Sequence, residues 1–246
     1  DQWRKLFSPR QLLVLGTLAK QIRIAGLNDL ANLESEWRDA IVSYLALLLD
    51  KTADYGSMVC TWHNSGEKIG HTFARFALPI TWDNAELAIL NDVGGSLMAQ
   101  LDWIARYIDH ALIATVSAPP PRILNQSSTV SSAQTLDAII TDPPYYDAIP
   151  YSDCMDFFYV WLRRSLGGVL PSVEVAFKEP LSPKWNKETN DGELIDDSSR
   201  HGGNATHSKQ VYEDGMARVF QTCHTALKPE GRLVIVFAHK HPDAWE

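Results

Sequence analysis

The sequence predicts an α/β protein in two parts: a mostly helical region over residues 1–118, then an α/β region with a doubly wound parallel sheet over residues 119–246. Three observations predict it. Apolar residues recur at helical spacing through the first half. Pro119-Pro120-Pro121 punctuates a change of pattern. Beyond it, short apolar runs alternate with helical stripes, as in parallel crossover units.

Trp37, Ile41, Tyr44, Leu45 and Leu48 share one helical stripe, and Met98, Leu101, Ala105, Ile108 and Leu112 share another. Tyr55 to Gly70, between them, is rich in Trp, His, Asn and Gly. It reads as packing between two helices, with nucleic-acid contact as the alternative. Arg122-Ile123-Leu124-Asn125 reads as a short strand and Leu136 to Thr141 as a second, buried one. Ser152 is placed to cap a helix in which Met155, Phe158, Leu162 and Leu166 share a face. Asp153 and Asp156 suit its positive end, and Gly167-Gly168 stops it.

Residues 179–208 are polar and rich in Gly, Asp, Ser and Asn. So long an irregular segment is either functional or disordered. Met216, Val219, Phe220, Cys223 and Leu227 form the last stripe, and Lys228-Pro229-Glu230-Gly231 reads as a turn that launches a strand from Arg232 to Phe237. Helix, turn and strand continue a right-handed parallel crossover. Asp142 and Ala238 then sit at carboxyl ends of strands, where open α/β sheets bind ligands.

At 246 residues the chain has ample length for a buried core, and its 45% hydrophobic and 21% charged residues are those of an ordinary globular protein. No apolar run approaches the roughly 20 residues that span a bilayer. Asp1-Gln2-Trp3-Arg4 has neither a signal pattern nor an initiator Met, so the sequence is expected to begin inside a longer polypeptide. Cys60, Cys154 and Cys223 have no paired-ligand spacing and read as small buried apolar residues in a reducing, cytoplasmic compartment. His239 and His241 lack a third ligand, so no metal is expected. The net charge of −8 opposes nonspecific polyanion binding, although Arg163-Arg164 and the stretch Lys178 to Lys187 concentrate positive charge locally.

The chemistry centres on Asp142-Pro143-Pro144-Tyr145, at the end of the Leu136 to Thr141 run. An amine conjugated to a purine or pyrimidine ring is a poor nucleophile, because its lone pair is delocalised into the ring. A carboxylate at Asp142 and the backbone carbonyl of Pro143 can each accept one amine N–H, drawing the nitrogen toward tetrahedral geometry. Two prolines have fixed φ and no amide protons, which keeps the loop rigid and its carbonyls outside helix bonds. Tyr145 offers a ring on which an extruded base can stack. The same dipeptides also mark ordinary turns after strands.

The longer run Thr141-Asp142-Pro143-Pro144-Tyr145-Tyr146-Asp147, with Pro150-Tyr151-Ser152-Asp153 and Asp156-Phe157-Phe158-Tyr159-Val160-Trp161-Leu162, resembles a family of large bacterial and archaeal adenine-specific DNA methylases. Further pieces match in order: Leu6 to Leu12, Phe73 to Pro79 with Trp82-Asp83, and Phe237-Ala238-His239-Lys240. The resemblance implies part of a Rossmann-like class I methyltransferase core, with S-adenosylmethionine as cofactor. It implies methylation of adenine N6 in double-stranded DNA, the base flipped out, and other subunits of a modification or defence system as partners.

By the same resemblance Asp142, Pro143, Pro144 and Tyr145 are catalytic, and Tyr145, Tyr146 and Asp147 shape the base pocket. Gln126-Ser127-Ser128 and Asp142 lie near the cofactor, with Gln126 standing where many relatives carry Gly; a serine-rich surface loop is the alternative for that run. The glycine-rich cofactor loop falls upstream of residue 1, so the chain resembles an internal or C-terminal fragment. Asn91 to Ser96, with Gly94 and Gly95, is the nearest substitute within the sequence. Residues 179–208 fit a flap over the target base. Methylation of cytosine N4 or of an RNA base uses the same amine chemistry, and a noncatalytic scaffold or nucleic-acid-binding module is the alternative from another class.

Overall fold

The structure is a computed structural model and describes residues 2–73, 77–91, 93–124, 126–130, 135–147, 149–182, 184–186 and 191–237. In chain order it contains α1 (Pro9–Ile24), continued by a π-helical turn at Ala25–Asp29, α2 (Ser35–Tyr55), β1 (Trp62–His63), β2 (Lys68–Ile69), α3 (Leu97–Thr115), β3 (Leu136–Thr141), α4 (Tyr151–Leu166), β4 (Trp185–Asn186), β5 (Asp191–Gly192), α5 (Ala205–Ala226) and β6 (Leu227–Ile235). Short 3₁₀ turns lie at Trp3–Leu6, Pro171–Phe177 and Ser198–His201. The protein is mixed α/β. Its described strands form three two-stranded sheets, of which only β3–β6 is parallel, so a doubly wound sheet is not seen among the described residues.

The chain divides into two compact units, residues 1–120 with 153–182, and residues 121–152 with 183–246. A single boundary at residues 118 and 119 therefore differs from the observed division, because α4 from Asp153 onward belongs with the N-terminal helices. Its aromatic residues account for this. Phe157 is fully buried, stacked on Phe7 at 5.7 Å, with Trp3, Phe73 and Phe158 edge-on to it at 5.8, 5.2 and 5.1 Å. The core of this unit joins Leu15, Ala19 and Ile22 of α1 and Val42, Ala46, Leu49 and Ala53 of α2 to Phe157, Trp161 and Leu166.

α1 starts where Ser8 and Gln11 form a reciprocal capping box ahead of Pro9. α2 and α3 lie where the periodicity predicts helices, and the buried rows agree with it only in part. In α2 Leu48 of the expected stripe is buried and Leu45 packs against the core, but the innermost row is Val42, Ala46, Leu49 and Ala53, and Trp37 is 65% exposed. In α3 only Gln100 is buried among the described residues, and Met98, Trp103 and Leu112 are exposed. In α4 Leu166 of the expected face is buried and Phe158 and Leu162 pack against the core, but the deepest residues are Phe157 and Trp161, and Met155 is 38% exposed. The helix stops at Leu166, and Gly168 follows at φ +73°, which glycine adopts freely. Tyr55 to Gly70 contains the β1–β2 hairpin, with Trp62 opposite Ile69 and His63 opposite Lys68. No described helix is long and apolar enough to cross a membrane.

In the second unit, β3 forms as expected and pairs with β6 in parallel register, Ile139 opposite Leu233 and Thr141 opposite Ile235. It is not buried: Ile140 is 76% exposed, because the strand has one partner among the described residues. The expected strand at Arg122 to Asn125 is absent over residues 122–124, which are exposed and unpaired, and Asn125 lies outside the described residues. Lys228 to Gly231 forms no separate turn. It is absorbed into β6 as an irregularity between the pairs Leu136–Leu227 and Ala138–Arg232.

The described residues of the polar stretch 179–208 include the antiparallel pair β4–β5, the 3₁₀ turn at Ser198–His201 and the start of α5 capped by Asn204. A small apolar core of Leu194, Tyr212, Met216 and Val219 joins that stretch to α5.

Candidate functional site

The chain leaves β3 at Thr141, whose carbonyl accepts the Val236 N–H at 2.9 Å. Two prolines then follow Asp142, and with no amide protons they end the ladder there. Pro143 is buried, Pro144, Tyr145 and Tyr146 are half-buried, and Asp142 and Asp147 are exposed. The Tyr145 hydroxyl donates to Asp142 Oδ1, and that bond is the main cause raising the Tyr145 phenol above its usual range. The Tyr145 ring stands edge-on to Phe237, centroids 5.2 Å apart at 85°. Asp142 Oδ2 and the Pro143 carbonyl have no hydrogen-bond partner among the described residues.

The next carbonyl is taken, since Pro144 O accepts the Tyr212 hydroxyl at 2.5 Å. This α5 residue thus fixes the loop from below. Tyr146 sits at φ +49°, in the left-handed region that an aromatic residue rarely adopts. Its surroundings hold it there. The Asp196 N–H donates to its carbonyl at 3.1 Å, its ring lies 4.4 Å from that of Tyr212, and its hydroxyl donates to Glu213 at 3.4 Å. Burial is the first cause that pushes both tyrosine hydroxyls up, with Glu213 adding to each.

A second anchor lies at the far end of the loop. Ser152 is not the N-cap of α4; it lies inside the first turn and donates from its N–H and its hydroxyl to the Glu193 carboxylate, at 2.9 and 2.5 Å. Glu193 also accepts from Arg200 at 2.6 Å, and Arg200 reaches Asp197 at 3.3 Å. A carboxylate brought from 41 residues away therefore caps this helix start. The Glu193 and Arg200 side chains are only 13% and 17% exposed, which shields the pair from water.

Beside the loop is a cavity of about 520 Å³, lined by Pro143, Tyr146, Tyr212, Glu213, Met216, Ala217, Phe220, Ile235 and Phe237. Its volume falls in the range of small-molecule pockets, and its wall is largely apolar with one carboxylate and two phenols. Pro143 and Tyr146 thus reach the cavity wall, Asp142 and Tyr145 touch each other at the loop, and Asp147 lies outside the lining.

The residues expected near a cofactor are placed differently. Gln126 and Ser128 are exposed, and the Ser127 hydroxyl donates to Asp191 Oδ1 at 2.9 Å. None of the three lines the cavity. The three residues expected beside the cofactor therefore do not share the cavity next to the Asp142 loop. Gly94 and Gly95 belong to the other unit, just before Ser96, the N-cap of α3. Ala238, His239, Lys240 and His241 lie outside the described residues.

Tyr212, Glu213, Glu193 and Arg200 escape the reading of the sequence. Extending the Met216–Val219 stripe one turn upstream reaches Tyr212, whereas the Glu193–Ser152 pairing leaves no local signal. Tyr212→Phe deletes only the hydroxyl on Pro144 and keeps the ring against Tyr146. It is expected to lower stability by about 1 kcal/mol, measured by urea unfolding.

No family model matches the chain, and neither a curated protein nor a solved structure shows significant similarity to it.

Proposed function

We propose that the Asp142 loop is the target-amine half of an enzyme that methylates the N6 amine of adenine in DNA, with S-adenosylmethionine as methyl source. The observation that carries this reading is the pair of acceptors, Asp142 Oδ2 and Pro143 O, without a hydrogen-bond partner among the described residues, on a proline-stiffened loop at the carboxyl end of β3. Two acceptors on adjacent residues match the two N–H bonds of one exocyclic amine. Accepting both withdraws the nitrogen from conjugation with the ring and aims its lone pair.

The rest of the loop fits a flipped base. Tyr145, steadied by Asp142 and Phe237, presents an aromatic surface, and the apolar cavity beside Pro143 offers room for a planar ring. Tyr145→Ala is expected to weaken binding of an adenine-containing oligonucleotide by roughly 1–3 kcal/mol, the scale of base-to-aromatic stacking. Fluorescence anisotropy with a labelled strand measures this, and an unchanged affinity counts against stacking.

A further inference from the structure

We infer that the N-terminal unit carries a second binding site, for a phosphate group, in a cavity of about 300 Å³ lined by Lys51, Tyr55, Lys68, Gly95, Gln100 and Trp103. The inference does not rest on the reading of the Asp142 loop. In a chain of net charge −8, the only charged side chains lining this cavity, among the described residues, are two lysines. Neither forms an ion pair with a described residue, and Lys51 Nζ lies 5.4 Å from the centroid of the Trp103 ring. Two lysines in the lining of one concave space, with no carboxylate in that lining, leave a positive potential that an oxyanion neutralises.

The third polar group is held in place. Tyr55 OH lies 3.0 Å from His71 Nε2, and His71 Nδ1 lies 2.6 Å from Asp54 Oδ2. Asp54 is itself fixed by the Thr72 N–H at 3.1 Å, and the Tyr55 and His71 rings pack with centroids 4.3 Å apart. The phenol is therefore a positioned hydrogen-bonding group at the edge of a lysine-lined cavity.

The start of α3 contributes wall rather than charge. The Ser96, Leu97, Ala99 and Gln100 amides donate within the chain, to Val93 O, Ile89 O, Ser96 Oγ and Ser96 O. The lysines are thus the source of attraction. Such chemistry takes a phosphate, whether on a nucleic-acid strand or on a free nucleotide.

Isothermal titration of the full chain with inorganic phosphate, adenosine monophosphate and a single-stranded oligothymidylate separates these sources. At least one probe is expected to bind, and Lys51→Gln with Lys68→Gln should weaken that binding about tenfold or more, the cost of losing charge-assisted bonds. The double Lys→Arg variant should retain it. Binding of the oligonucleotide alone assigns the site to a strand backbone; binding of the monophosphate or inorganic phosphate assigns it to a free ligand. Binding by none of the three probes, or undiminished binding by the double Gln variant, overturns the inference.

Discussion

Asp142→Ala is expected to lower the rate constant of methyl transfer by about 10²-fold or more, the scale for losing one preorganised polar group at a reacting centre. KM for the oligonucleotide should change little, because the carboxylate acts most strongly once the amine nitrogen leaves conjugation with its ring. The fold should survive. Asp142 is exposed, and its hydrogen bond with a described residue is the one from the Tyr145 hydroxyl, which water can replace in the variant. Asp142→Asn keeps an acceptor oxygen without the charge and should fall between the two. Steady-state kinetics with labelled methyl donor, beside a thermal melt of each variant, gives the comparison. Undiminished transfer by the Ala variant contradicts the role given to Asp142.

The second large effect concerns stability and arises in the other unit. Asp50 on α2 is only 6% exposed, and its Oδ1 is enclosed with no hydrogen-bond partner among the described residues. Burial in this setting penalises the charged form and raises its pKa from 3.8 to about 8. Between those values the folded state keeps a proton that the unfolded chain releases, so stability falls as pH rises. Each pH unit across the window costs about 1.4 kcal/mol, and the drop from pH 4 to pH 7 amounts to about 4 kcal/mol. Above about pH 8 both states are ionised and the loss levels off. Asp50→Asn removes this titration, so its advantage over the native protein should grow with pH across that range. Urea unfolding at pH 4, 5.5, 7 and 8.5 tests this, and parallel profiles for the two proteins contradict it.

Local signals in the sequence locate most of the helices and less of what covers them. The stripes place α2, α3, α4 and α5, because apolar periodicity is a property of each segment alone. Which side turns inward depends on partners elsewhere in the chain. Val42 rather than Trp37 is buried because α2 packs against α1, and Phe157 rather than Met155 because residues 3, 7 and 73 bring rings to it.

The same limit applies around the site. A loop after β3 is legible from two prolines that cannot continue a ladder, and so is its acceptor chemistry. The Tyr212 bond to Pro144, the left-handed backbone at Tyr146 and the Glu193 cap on Ser152 are not, since each joins residues far apart in sequence or depends on a neighbour across the fold. Ser152 misleads in an instructive way: its type suits an N-cap, but the helix already includes it and a distant carboxylate takes over the capping.

The most direct test of the central claim is the identity of the methylated product. The longest natural polypeptide containing this chain is incubated with labelled S-adenosylmethionine and, separately, with duplex DNA and RNA. The nucleosides are then resolved by chromatography, with Asp142→Ala as control. The account predicts label in N6-methyldeoxyadenosine that disappears in the variant. Label only in methylated cytosine or in RNA, or no label from a folded protein, contradicts it.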